Sequence, residues 1–281
     1  MNYQKTMLKV LGQKFLVEFI NLKEKIMADL SDLNKFKDET NQALRYKSQD
    51  GFVRVPIYRG FGEIETFHRA VMDESNGKCV ILGGYIRFMC SPHPRPARAE
   101  DVDLYCPEQA DFEKMVKFFS KMDMTIKHEN DVAITYTNFE SDHPFFPCPE
   151  VQLIKPMAQG VIVTQGSLEE IISNFDFTVI RIGLLSRTHA LADADFTHDE
   201  TNKLLRIKNI HCPVSSLYRV MKYRLKGYWP PSSLIVAILQ DWNNRDEDYK
   251  KEIVDFFVKA ENQKLEQEEI DRMERLLRLT D

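Results

Sequence analysis

One stretch, residues 79–105, constrains this chain more than any other. Cys79-Val80-Ile81-Leu82 is an apolar run of strand length that stops on Gly83-Gly84. Residues 91–100, SPHPRPARAE, hold three prolines and read as loop. A second apolar run follows and carries Asp101 and Asp103 on either side of Val102. Residues two apart on a strand project to the same face, so these carboxylates point together while Val102 and Leu104 point into a core. The pattern demands strand, glycine turn, short helix over 84–90, loop and strand, in that order.

Two carboxylates held on one edge repel each other unless a cation lies between them. Hard oxygen donors of this kind suit Mg2+ or Mn2+, which keep positions open for phosphate oxygens. Glycines where a strand hands over to a helix leave backbone N–H groups uncovered, and such groups bind phosphate. Arg87 lies one helical turn beyond and within reach of the same anion. Asp101 and Asp103 are thus the candidate metal and catalytic residues, with Gly83, Gly84 and Arg87 as candidate nucleotide ligands. A lone D-x-D or Gly-Gly is commonplace; their succession carries the reading.

The remaining chain sets this unit between helical ends. Residues 7–30 place Leu8, Leu11, Phe15, Phe19, Leu22 and Ile26 at helical spacing, an amphipathic helix suited to brace a neighbouring core. Residues 62–76 read as a helix stopped by Gly77, and 108–121 as another. The stretch 124–139 reads as two strands about a Glu-Asn-Asp turn, and 149–156 as a further strand. Ser167 with Glu170 three residues on is a capping box opening a helix at 168–174. Residues 176–186 are apolar enough for a buried strand, and 203–210 for a short one. From Pro213 onward the pattern is helical: 214–226, 231–242, 247–261 and 264–279. Asp193 and Asp195 form a second D-x-D, but without preceding glycines they read as polar loop.

A basic surface is the other candidate. From Lys203 to Lys226 there are seven Lys or Arg and no acid. Arg219, Lys222 and Lys226 share one helix face, flanked by Tyr218 and Tyr223, which suits triphosphate or a nucleic-acid backbone. A net charge of −5 argues against a general nucleic-acid coat. Five cysteines, no two within ten residues of each other, fit neither a disulfide framework nor a zinc knuckle. No apolar run approaches a membrane span, and the N-terminus lacks the unbroken apolar centre of a signal peptide; a cytoplasmic chain is expected.

The residues ILGGYIRFMC and EDVDLY resemble the head of the nucleotidyltransferase superfamily with the DNA polymerase β-like fold. The likeness is to the tRNA CCA-adding and bacterial poly(A) polymerase class, with its Gly-Gly, any residue, aliphatic, Arg, then Asp-x-Asp. Gly83, Gly84, Ile86, Arg87, Asp101 and Asp103 stand at those positions. Asp176, Phe177 and Thr178 match that class's Asp-Phe-Thr segment, and 204–228 is similar to its arginine-bearing helix after a proline. Phe175 and Ile180 replace an arginine and an asparagine of the class. Gln152, with Glu150 two residues earlier, stands where many superfamily members carry a third acid.

The resemblance covers roughly residues 77–228 and implies an α+β nucleotidyltransferase core with a mixed sheet; together with the helical patterns on either side, a helical N-terminal extension over 1–60, a catalytic domain over 61–187 and a mainly helical domain over 188–281 are expected. It implies a Mg2+- or Mn2+-dependent transfer of a nucleoside monophosphate from a nucleoside triphosphate to a hydroxyl, with a tRNA-like RNA 3′ end as the expected acceptor. Asp101 and Asp103 would hold metal; Gly83, Gly84, Arg87, Arg219 and Lys222 would hold nucleotide. Tyr223 and Lys226 would touch RNA or triphosphate, and Glu150 or Gln152 would supply a third polar group. A protein, small-molecule or nucleotide acceptor, or a catalytically retired binding module, are the alternatives.

Overall fold

The computed structural model describes residues 50–262, apart from 94–95, 97–98, 123, 131, 138–147, 159–160 and 163–165. The expected helices over 7–30 and 264–279 lie outside the described residues. The α+β class expected from the sequence is the one that forms. Its centre is an eight-stranded mixed sheet of order β1-β10-β9-β2-β3-β6-β5-β4. The strands are β1 (Phe52–Pro56), β2 (Val80–Leu82), β3 (Asp101–Tyr105), β4 (Thr125–Glu129), β5 (Ala133–Thr137), β6 (Glu150–Ile154), β9 (Ile182–Leu184) and β10 (His189–Asp193). Two short strands, β7 (Met157–Ala158) and β8 (Val161–Ile162), pair separately. Within the large sheet β3 and β6 run parallel, and the other neighbours are antiparallel.

Alternation along the central strands decides what covers each face. Val102 and Leu104 of β3 and Val151 and Leu153 of β6 point to the main core. They meet α1 (Gly62–Ser75) and α3 (Gln109–Lys121) there, through Ile64, Phe67, Val71, Phe112, Met115 and Phe119. Helix α1 ends as its sequence requires: Asn76 takes the left-handed conformation and the Gly77 N–H returns to the Met72 carbonyl at 2.7 Å. The opposite face packs Leu82, Tyr105, Ala133 and Ile154 under Ile171 and Ile172 of α4 (Leu168–Ser173). That helix opens on the expected capping box, Ser167 with Glu170.

Three expectations change. The buried strand over 176–186 is a 3-10 turn (Thr178–Ile180) followed by the three-residue β9, because Asp176 and Thr178 bond across to other elements instead of entering a ladder. Residues 203–210 form no strand; they make isolated bridges, Leu204 with Trp229 and Ile207 with Phe177. The second D-x-D is not a polar loop. Asp193 closes β10 and Asp195 precedes α5 (Phe196–Asn202), both buried. β10 joins the large sheet between β1 and β9, so the sheet extends past residue 187.

Helix α2 (Gly84–Cys90) follows β2 directly. After α5, helices α6 (Pro213–Leu225), α7 (Ser232–Asn244) and α8 (Glu247–Asn262) enclose a second core of Leu217, Val220, Tyr223, Ile238, Trp242 and Ile253, with Phe177 and Val179 inserted from the sheet side. Among the described residues no helix is long and apolar enough to cross a membrane.

Candidate active site

The site forms where the end of β2 meets the start of β3. The antiparallel register sets Leu82 opposite Asp103, so the chain leaves β2 into its glycine turn beside the second aspartate. Gly83 has φ 74° and ψ −139°, a conformation that a side chain resists. A Cβ there would stand 2.6 Å from Asp103 Oδ2. The glycine is therefore required twice, by its backbone and by the carboxylate against it.

Asp101 and Asp103 lie on one face of β3, half-buried, as their spacing predicts. On the parallel neighbour β6, Glu150 is in register with Asp101 and Gln152 with Asp103. Gln152 is buried, and its Nε2 donates to Asp101 Oδ2 at 3.2 Å. Glu150 is paired with Lys127 of β4. Two half-buried carboxylates on one face, one of them steadied by a donor, fit a hard divalent cation whose other positions are completed by water and phosphate oxygens. Among the described residues no three His, Cys, Asp or Glu side chains converge on one point.

The glycine turn also fixes which amides are bonded within the fold. The Gly83 N–H donates to the Ile182 carbonyl of β9 at 2.9 Å, which pins the turn to the sheet. The first N–H that α2 satisfies by a backbone bond to Gly83 is that of Arg87, at 3.0 Å. Gly84 thus stands at the open end of the helix, where the first N–H groups have no intrahelical acceptor. Arg87 itself turns inward. It is 1% exposed, donates from Nη1 to the Tyr228 hydroxyl at 2.9 Å, and has Glu200 Oε1 at 3.6 Å. Burial works against its charge, but Tyr228, Tyr223 and Glu200 hold its pKa above the ordinary value. Direct contact with a phosphate, expected from the sequence, would require this buried cluster to open; as placed, Arg87 is a strut beneath α2.

The basic face of α6 does reach the site. Glu100, the residue before Asp101, pairs with Lys226 at 3.3 Å and lies 4.0 Å from Lys222. Burial and the neighbouring Lys222 lower the pKa of Lys226. Arg219, expected to bind nucleotide, instead donates to Asp176 Oδ2 at 2.8 Å, beside a bond from Ser216. Tyr223 is a core residue, tilted against Phe177 and edge-on to Tyr228, so the ligand contact expected of it is not open.

The sequence reading missed Glu200 and Tyr228, which hold Arg87. Ser91, Lys203 and Tyr228 all bond Glu200. Nearby, Asp199 takes Arg206 and Thr178, while Asp195 takes Lys208. An acid-rich run, Asp193 to Glu200, interleaved with apolar Phe196 was the available signal: a buried helix flank facing the basic run that follows.

The sequence profile described as "Gad2: Gabija anti-defense 2 family protein" matches residues 61–203, just over half of the 281 residues. The chain belongs to the Gad2 family. The match begins just before α1 and ends after α5, so it spans the glycine turn, both aspartates, β6 and the buried acids. No curated protein sequence matches this Gad2 chain. Among solved structures, a Thermotoga maritima CCA-adding enzyme complexed with tRNA is similar at 12% identity and TM-score 0.43, covering 77% of this chain and 49% of that one. A CCA-adding enzyme with ATP gives 12% and 0.45, covering 75% and 50%. A tRNA nucleotidyltransferase with a primer tRNA and an ATP analogue gives 16% and 0.40, covering 71% and 57%. The chain spans about half the length of these structures.

Proposed function

We propose that this Gad2-family protein is a metal-dependent nucleotidyltransferase that moves a nucleoside monophosphate from a nucleoside triphosphate to a hydroxyl acceptor, in the service of the counter-defence its family is described by. The observation that carries the reading is the closeness of Asp103 to Gly83, which leaves no room for a Cβ there. The turn that bares helix amides and the carboxylates that suit a cation meet at one point, and a triphosphate needs both.

In this reading the acceptor hydroxyl gives up its proton to solvent, its oxygen attacks the α-phosphorus, a new P–O bond forms, and the bond to pyrophosphate breaks. Asp101 and Asp103 would hold a divalent ion. When bound, that ion neutralises phosphate charge and makes the acceptor hydroxyl easier to deprotonate. The amides at Gly84 orient the triphosphate tail, and Gly83 supplies the turn. Lys222 and Lys226, released from Glu100, supply positive charge on the far side, where pyrophosphate develops charge as it leaves. Arg219 and Arg87 act from behind, anchoring α6 to Asp176 and α2 to Glu200. An RNA 3′ end is the acceptor we favour, because the acid-free run from Lys203 to Lys226 carries further positive charge beyond the two lysines that meet Glu100.

The test is transfer of label from each of the four α-labelled ribonucleoside triphosphates, with Mg2+ or Mn2+, to RNA, protein and small-molecule pools. Asp101→Ala and Asp103→Ala should each lower transfer by about 10³-fold or more. Transfer unaffected by either change would end the proposal. A second reading, a binding module without catalysis, is favoured by Gln152 where many relatives of the superfamily carry an acid. It predicts nucleotide binding without transfer to any pool.

A further inference from the structure

We infer that Gln152 is a positioning residue that orients Asp101 and limits the site to two carboxylates; the inference rests on the metal-site reading above. Gln152 is 5% exposed and stands in the middle of the sheet, between Asp103 of β3 and Thr135 of β5 in the strand register. A side-chain amide offers one donating and one accepting end. Its oxygen facing a carboxylate would be repelled, so the donating nitrogen is the end that faces Asp101, at 3.2 Å from Oδ2. That bond restrains rotation of the carboxylate, which lies on the face shared with Asp103.

The neighbouring acid does not restore a third charge. Glu150 is in register with Asp101 on the same strand face, but its carboxylate is paired with Lys127 of β4. β6 therefore contributes a donor and a compensated acid to the cation side, not a free carboxylate. With fewer ligand charges the affinity for a bare divalent ion falls, and binding depends more on the phosphates the nucleotide brings. Gln152 in this role makes nucleotide and metal binding strongly interdependent.

The experiment titrates the full-length protein with Mn2+ alone, read by electron paramagnetic resonance, and follows melting temperature with and without Mn2+. Gln152→Met keeps the shape and loses the donor; it should weaken Mn2+ binding by about tenfold while the metal-free melting temperature changes little. Gln152→Glu adds a like charge beside Asp101. It should lower the metal-free melting temperature, tighten Mn2+ by about tenfold or more, and gain more thermal protection from Mn2+ than the wild type gains. If Gln152→Met fails to fold, Gln152→Glu alone decides. Wild-type Mn2+ affinity in the folded variants would overturn the inference and make Gln152 a core filler, with the metal site intact. A wild-type protein that binds no Mn2+, with or without triphosphate, would overturn the metal site and this inference together.

Discussion

Gly83 is the residue on which the site's geometry turns. Its positive φ and the closeness of Asp103 act against any side chain at once. Strain of this kind costs about 1–3 kcal/mol, and the carboxylate must also move aside. Gly83→Ala should therefore lose stability by about that amount in denaturant unfolding. It should also lose Mn2+ binding out of proportion, because displacement of Asp103 separates the paired oxygens. Gly84 has open space around an added Cβ and takes a helical position, so Gly84→Ala should keep its stability and serve as the control.

At the scale of elements, α6 is held to the segment before the 3-10 turn by one ion pair as well as by its apolar stripe. Asp176 is 2% exposed, and its carboxylate receives Arg219, Ser216 and the Phe177 N–H. Removing one partner of a buried pair leaves the other uncompensated, at a cost of about 3 kcal/mol or more. Arg219→Ala should destabilise by that amount in equilibrium unfolding. It should also let α6 shift and carry Lys222 and Lys226 away from the triphosphate, which would appear as a raised KM for triphosphate. A fall in kcat alone, with KM and stability unchanged, would instead mean that Arg219 touches substrate.

At the scale of the whole molecule, two cores are joined by a belt of buried charge. Arg87 of α2, Glu200 of α5, Lys203 and Tyr228 link the sheet to the helical region, and burial lowers the Lys203 pKa although Glu200 opposes it. The main core carries a different titratable group. Tyr136 is 1% exposed, and burial, with Glu129 adding to it, pushes its phenol up to about 12. An unfolded tyrosine ionises near ~10. The folded pKa is thus raised, so this group's contribution to stability is complete below pH ~10 and is lost as pH rises toward 12. Tyr136→Phe should remove that alkaline slope from the unfolding free energy. It should leave stability at neutral pH unchanged or up to about 1 kcal/mol higher, because the hydroxyl finds no hydrogen-bond partner among the described residues.

Local patterns determined much of this protein. The alternation around Val102 and Leu104 settled which face the aspartates share, Gly83-Gly84 settled where β2 stops, and Ser167 with Glu170 settled where α4 starts. Each depends on neighbours a few residues away, so the information lies within the window that a sequence displays. Whether Arg87 turns outward or inward depended on Glu200 and Tyr228, far along the chain, and the burial of Asp193 and Asp195 depended on Arg181 and Lys208 in the same way. A charged side chain near a glycine turn reads alike in both cases. Only the packed structure decides whether a buried opposite charge outcompetes water and ligand for it, because that energy comes from groups the fold brings together.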